Sequence, residues 1–370
     1  MQFLLILNIL GFLHFFLALT MLLPLAISFL YGDGCSNAFI YSILATLLAG
    51  SVLYWTFPAQ KKELSHRDGF AIVTLGWVFV ALFGSLPFLL SETIGSFTNA
   101  YFETMSGFTT TGATILPTVE GLPESILFWR SLIQWLGGMG IILFSIAILP
   151  LLGVGGMELY KAEVPGPTPD RIKPRIAETA RVLWKVYLLI SCLEVLLLCA
   201  GGMNLFDSLC HTFTTLATGG FSVEGASIAA YDSWSVELVI VVFMVLAGGN
   251  FALYFAFLSR RRWAIWRDPE FRLYIGILAV STLLITASLM IAKSHFGLTH
   301  ALREALFQTV SIQTTTGFVS ADFDAWNSFA KALLVLLMFV GGCAGSTAGG
   351  IKVVRMLLLT KNARRVLAQA

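Results

Sequence analysis

The sequence predicts an all-α polytopic membrane protein assembled from repeated units of span, short re-entrant helix and span. Three observations carry this. Of 370 residues, 57% are hydrophobic and 12% charged, about half the charged share of a soluble domain. Long apolar runs recur, each with the roughly 20 residues needed to cross a hydrocarbon core of about 30 Å. The short alternating segments of a membrane β-barrel do not occur in the sequence.

The spans are expected near 3–30, 37–57, 70–91, 125–150, 180–201, 234–258, 271–292 and 329–360. The first run is too long for a signal-peptide core and lacks a basic leader, so it reads as a true helix. Basic residues cluster between spans: Lys61, Lys62 and Arg67 in 58–70; Lys161, Arg171, Lys173, Arg175, Arg181 and Lys185 in 153–185. Arg260, Arg261, Arg262, Arg267 and Arg272 follow in 259–272, and Lys352, Arg355, Lys361, Arg364 and Arg365 in the tail. These are nineteen of the 23 Lys and Arg. The positive-inside rule puts these segments and the C-terminus in the cytoplasm. The loop 164–175, rich in proline, reads as a cytoplasmic linker.

The stretches 92–124, 202–233 and 293–328 then start and end outside. Each contains an apolar piece too short to span, as in "NAYFETMSGF", which reads as re-entrant. With Gly112, Gly220 and Gly317 in register, a threonine stands eight residues before each glycine (Thr104, Thr212, Thr309). A hydroxyl stands six before (Ser106, Thr214, Ser311) and a threonine two before (Thr110, Thr218, Thr315). A Gly-Gly pair follows each in the next span: Gly137-Gly138, Gly248-Gly249 and Gly341-Gly342. One such match is worthless, but three in the same topological slot mark an internal repeat.

The candidate site is the turn after each short helix: Thr110, Thr111 and Gly112; Thr218, Gly219 and Gly220; Thr315, Thr316 and Gly317. None of the three carries a charged side chain. The chemistry open to such a turn is that of backbone carbonyls replacing the water shell of a monovalent cation. Glycine supplies unusual φ and close backbone approach, and threonine hydroxyls brace the turn. Glu92, Glu103, Glu120, Glu124, Asp207, Glu224, Asp322 and Asp324 flank the outer mouth, where acids concentrate cations or are simply solvated. A second feature is "GGCAGSTAGGIK": Gly341, Gly342, Gly345, Gly349 and Gly350, with Ser346 and Thr347 among them, interrupt the last span.

An intramembrane enzyme would need a nucleophile or metal set such as HExxH. His14, His66, His211, His295 and His300 show no such spacing. The five cysteines contain no CxxC and suggest neither disulfides nor a metal site. Glu194, inside a span, is a functional candidate by position unless Arg130 or Lys185 pairs with it. Arg130 is otherwise a snorkelling anchor. His211 is expected to be a hydrogen-bonded packing residue.

"TMSGFTTTGAT", "TLATGGFSVEGAS", "SIQTTTGFVSADF" and "GGCAGSTAGGIKVVR" resemble the Trk/Ktr/HKT potassium transporters, most of all the TrkH type. The resemblance covers essentially the whole chain. It implies two extra N-terminal helices (1–60) and pore repeats over 61–152, 153–262 and 263–370, the last with the Gly-rich segment as an intramembrane gating loop. In the family four repeats surround one pseudo-fourfold pore. Here the fourth is absent, so a fragment is expected. The resemblance also implies K+ bound at the nine turn residues, with Gly112 favouring potassium over sodium. It implies no organic cofactor on this chain, a homodimer in the lipid bilayer of the bacterial inner membrane, a cytoplasmic nucleotide-binding TrkA-like regulator and no nucleic acid. Sodium or mixed-cation permeation, or a non-conducting truncated or regulatory chain, are the alternatives.

Overall fold

The computed structural model describes residues 2–57, 66–148, 172–258, 264–292 and 297–369. Among them it is helical throughout, with a single isolated bridge, Val340–Ile351, in place of any strand. Lys61, Lys62, Lys161, Arg171, Arg260 to Arg262, His295 and most of the 164–175 linker lie outside the described residues. Among the described residues, five helices are long and apolar enough to cross a membrane, or six if one bent pair counts as a span. The chain divides into two compact units: residues 1–137 with 146–168, and residues 138–145 with 169–370.

The first unit opens with α1 (Phe3–Thr20) and α2 (Leu22–Tyr31). They form one apolar stretch broken at Met21, because Pro24 has no N–H to give the Thr20 carbonyl. α3 (Ser36–Thr56) crosses α1 closely. A methyl on Gly11 would sit 2.9 Å from the Gly50 carbonyl, and one on Gly50 the same distance from His14 Cβ. Small residues permit such contact where lipid supplies no hydrophobic drive between helices. α4 (His66–Gly84) and α5 (Leu86–Leu90) complete the next span. α6 (Phe97–Phe108) has 12 residues, about 18 Å at 1.5 Å per residue, too short to cross. α7 (Glu124–Ile148) leads back over 25 residues. Asp33, in the α2–α3 turn, accepts the Ser125 amide at the start of α7 (2.9 Å), the Cys35 amide (3.0 Å) and the Ser28 hydroxyl. It thereby ties the N-terminal hairpin to the first repeat.

In the second unit, α8 (Ile172–Ala200) is followed by the short α9 (Leu205–Leu216), whose first turn is capped by Asn204 accepting from the Asp207 amide at 2.8 Å. Next come α10 (Trp234–Ala247), α11 (Phe251–Leu258), α12 (Ala264–Arg267) and α13 (Pro269–Ala292). The third short helix, α14 (Leu298–Gln313), precedes α15 (Ser328–Phe339), with Asn327 accepting from the Ala330 amide, and α16 (Val353–Gln369). Leu198, Met244, Tyr274, Phe307, Phe318 and Val353 join these helices in one buried core. Arg303 on α14 binds Glu237 on α10 through two nitrogens, each at 2.8 Å, docking the third short helix against the second repeat.

Three expectations need correction. The span expected at 234–258 is not one rod: α10 and α11 meet at 98°, because Gly248, Gly249 and Asn250 stop the helix. The span expected at 329–360 ends at Phe339, and α16 begins only at Val353. The linker does not extend to 175, since α8 starts at Ile172; Pro174 falls in its first turn, where a missing N–H costs nothing.

Candidate functional site

Each short helix ends in the same backbone device. The amides of Thr110, Thr218 and Thr315 donate three residues back, to Gly107, Thr215 and Ile312. The next amides, of Thr111, Gly219 and Thr316, donate five back, to Ser106, Thr214 and Ser311, at 2.9 Å each. This is the Schellman pattern, which places the capping residue in the left-handed region. Glycine usually occupies that position. Here it is threonine three times, with φ of +54°, +52° and +59°. A β-branched side chain in this region is a genuine outlier, held at a cost of about 1–2 kcal/mol. Two residues later the chain turns left-handed again at Gly112 (+76°), Gly220 (+73°) and Gly317 (+84°), where glycine carries no such cost.

The threonine two before the glycine is therefore a strained hinge, and two of the three also bond through the hydroxyl: Thr218 donates to the Ala217 carbonyl (2.7 Å), and Thr315 accepts the Gly349 amide. Other hydroxyls brace the turn. Thr109 and Thr111 lie 2.8 Å apart through their Oγ1 atoms, as do Thr314 and Thr316. The second repeat has Ala217 and Gly219 at those positions and lacks the pair. Ser106 donates to the Ala113 carbonyl (2.6 Å) and Ser311 to the Phe318 carbonyl (2.7 Å), fixing the residue after the glycine. Thr214 turns back to its own helix instead. Thr104, also in the repeat, donates to the Ala100 carbonyl within α6. In the second unit, two turns abut: a methyl on Gly220 would overlap the Thr316 carbonyl, while Gly317 faces open space.

A further position, nine residues before each glycine, escaped the sequence reading. Glu103 accepts from the Thr114 hydroxyl (2.9 Å) and the Ile115 amide (3.0 Å). His211 meets the Ser222 hydroxyl at 3.0 Å through Nε2 and the Asp207 carbonyl at 2.9 Å through Nδ1. The Gln308 side-chain oxygen, with its amide oriented to satisfy its neighbours, accepts from the Ser320 and Ala321 amides at 2.9 and 3.2 Å. One polar side chain per repeat thus ties the chain leaving the turn back to the helix entering it. The signal was available, because Glu103, His211 and Gln308 share one register position.

Glu103 is consequently not a mouth acid. It is fully buried and pairs with Arg130, Nε to Oε1 2.7 Å, so Arg130 is not a snorkelling anchor either. Among the remaining acids, Asp207 accepts from Tyr231 and Asn204, and Asp322 from the Asp324 amide. Among the described residues, Glu194 is buried beside the Thr215 hydroxyl, and Lys185 is exposed.

The Gly-Gly pairs recur for a packing reason that sequence spacing conceals. Gly137 lies within α7, where a methyl would overlap the Phe108 carbonyl at the end of α6. Methyls on Gly138 and Gly248 would crowd Ala217 (2.8 Å) and Thr314 (3.1 Å), the residues capping α9 and α14. Gly341 and Gly342 open the Gly-rich loop. Its neck is laced by Gly341 N–H to the Ile351 carbonyl (3.0 Å) and Val353 N–H to the Gly342 carbonyl (3.1 Å). Its tip reaches the turns: Thr347 donates to the Leu216 and Ala247 carbonyls (2.9 and 3.2 Å), and Gly349 N–H donates to Thr315 Oγ1 (2.7 Å). The Gly345 carbonyl accepts from Phe251 and the Gly248 carbonyl from Cys343, so the loop sits in the bend of the second repeat. Ser346 closes the loop on the Cys343 carbonyl (2.6 Å), while a methyl on Gly350 would meet Gly341 at 2.9 Å.

Comparison with known proteins agrees with this arrangement. The family model described as TrkH, cation transport protein, matches residues 35–369. The Trk system potassium uptake proteins TrkH of Salmonella typhimurium and Escherichia coli are each 44% identical over 370 residues, covering 99% of this chain and 77% of theirs. The Trk system potassium uptake protein TrkG of Escherichia coli is 33% identical over 97% of this chain. The crystal structure of the potassium transporter TrkH from Vibrio parahaemolyticus superposes with a TM-score of 0.91 at 42% identity, covering 100% of this chain and 76% of that one. With a family match over nearly its whole length, the chain belongs to the TrkH family of cation transport proteins.

Proposed function

We propose that the chain carries potassium across the bacterial inner membrane, with backbone carbonyls of the three repeated turns as the selectivity filter. One observation carries the reading: the same left-handed threonine and left-handed glycine close each short helix, with no charged side chain in any of the three segments. Such a segment offers an ion only carbonyl and hydroxyl oxygens, which dehydrate a monovalent cation without trapping it. Potassium is the ion named for the relatives that match over 99% of this chain. The nine filter residues are Thr110 to Gly112, Thr218 to Gly220 and Thr315 to Gly317.

The Gly-rich loop, Gly341 to Gly350, serves as the gate beneath them. Its hydrogen bonds to Leu216, Ala247 and Thr315 give it a direct hold on two filter turns. The exposed basic residues Arg355, Lys361, Arg364 and Arg365 of α16 suit a cytoplasmic nucleotide-binding regulator, and the working assembly proposed is a homodimer.

The test is uptake by a bacterial strain lacking its own potassium transporters, with potassium and sodium flux measured together. Gly112→Ser, which adds a side chain where φ is +76°, should lower the preference for potassium. An unchanged ratio contradicts the filter assignment, and equal wild-type fluxes of the two ions select mixed-cation permeation.

A further inference from the structure

The Gly-rich loop is held at its tip by the filter and at its base by a carboxylate from another helix. Glu270, the second residue of α13, is buried. Its Oε1 accepts the Ala344 amide at 2.7 Å and the Val354 amide at 3.0 Å. The first is inside the loop and the second is in the first turn of α16. A helix's first-turn amides have no partner within the helix, and a carboxylate there is favoured by the helix dipole. A single oxygen atom therefore bonds two points ten residues apart, joined along the chain by a segment that holds Gly345, Gly349 and Gly350.

Glycine makes the joining segment compliant, since each costs about 1 kcal/mol relative to alanine as helix and leaves the chain free. A movement of α16 would be absorbed in such a segment unless something bridged it. The backbone neck at Gly341–Ile351 and Gly342–Val353 is one bridge, and the Lys352 ammonium, which donates to the Ala348 carbonyl, is a second. Glu270 is a third, and it reaches past the neck from another helix, bonding the loop and the first turn of α16 through one oxygen. From Ala344 the chain runs through Ser346 and Thr347 to the Leu216 carbonyl, and through Gly349 to Thr315 Oγ1.

We infer that Glu270 is a positioning residue that couples α16 to the Gly-rich loop, so that displacement of this helix moves the loop and the hydrogen bond at Thr315. The inference rests on the loop's proposed role as gate for its meaning in transport, but its geometry stands apart from that role. The reach of the side chain matters more than its charge. Glutamine keeps an oxygen at the same distance able to accept both amides, whereas aspartate keeps the charge and falls one methylene short.

Hydrogen–deuterium exchange of the full chain tests this by following segments 341–350 and 353–358. Loss of both charge-assisted bonds in Glu270→Ala should speed exchange in both segments together, by about tenfold or more. Glu270→Gln should stay within about threefold of wild type. Should Glu270→Ala fail to accumulate, Glu270→Asp replaces it and should exchange faster than Glu270→Gln in both segments. Exchange unchanged, raised in one segment only, or faster in Glu270→Gln than in Glu270→Asp overturns the coupling. Potassium flux in the same variants separates the two readings. Faster exchange with altered flux supports coupling and gate alike, whereas faster exchange with wild-type flux supports the coupling and removes the gate.

Discussion

From Ser106 to Ala113, from Thr214 to Phe221 and from Ser311 to Phe318, the backbone runs the same course three times. The Gly-Gly pairs, equally regular in sequence, lie in three different conformations: inside the continuous α7, at the 98° bend after α10, and at the mouth of a loop. A turn set by local rules repeats wherever its residues repeat: a Schellman cap and two left-handed residues need only their own neighbours. A glycine pair states only that something comes close. What comes close is a carbonyl, a helix cap or a second loop, and each leads the chain elsewhere. Local necessity transfers between repeats, whereas packing necessity has to be solved in each place.

The sharpest way to break this contrast is to add methyl groups. Gly220→Ala meets both constraints, a φ of +73° and overlap with the Thr316 carbonyl. Gly137→Ala meets only overlap with the Phe108 carbonyl. Both should abolish uptake and lower thermal stability in detergent steeply, while Gly276→Ala, with nothing within 4 Å of the added methyl, should be silent. A tolerated Gly137→Ala would remove the packing explanation for the pairs.

Next in size is the Glu103–Arg130 pair. Arg130→Leu strands a buried carboxylate and should cost about 3–5 kcal/mol in unfolding measurements. Adding Glu103→Gln should restore most of that loss. No restoration would mean that Arg130 acts through something other than Glu103.

The strained threonines give a smaller effect of opposite sign. Thr110→Gly should relieve a left-handed β-branched residue, raising stability by up to about 1 kcal/mol. Thr315→Gly should gain less, because it also deletes the acceptor of the Gly349 amide. Equal gains at both sites would show that the Thr315 hydroxyl contributes nothing to holding the loop.

The smallest effect lies outside the repeats. Burial alone would raise the Asp33 carboxyl, but hydrogen bonds from Ser125, Ser28 and the Cys35 amide outweigh it and hold the group below its ordinary value. Its contribution is therefore full above about pH 4, the unfolded value, and is lost as pH falls through the lower folded value. Protection of 32–36, taken relative to the intrinsic exchange rate at each pH, should fall in acid in the wild type and be lowered already at neutral pH in Asp33→Asn.

Much of this was legible in the sequence because membrane helices announce themselves by length and apolarity, and because a repeat multiplies a weak signal. Gly112, Gly220 and Gly317 were found in register, and the unusual φ expected of them is a left-handed one. The strain at Thr110, Thr218 and Thr315 was not legible, since threonine is the last residue that propensity would put there. Glu103 was misread because an acid beside an outer loop looks solvated until Arg130, 27 residues on, is brought against it. The hold of Glu270 on Ala344 and Val354 depends on contacts 74 and 84 residues apart, which no local pattern encodes.

The most direct test of the filter is diffraction from crystals of the protein soaked in thallium, a potassium mimic with strong anomalous scattering. An anomalous peak within about 3 Å of carbonyl oxygens in the segments Thr110–Gly112, Thr218–Gly220 and Thr315–Gly317 is the predicted result, as expected for a carbonyl-lined site. A peak bound elsewhere, in a protein that still takes up potassium, would contradict it.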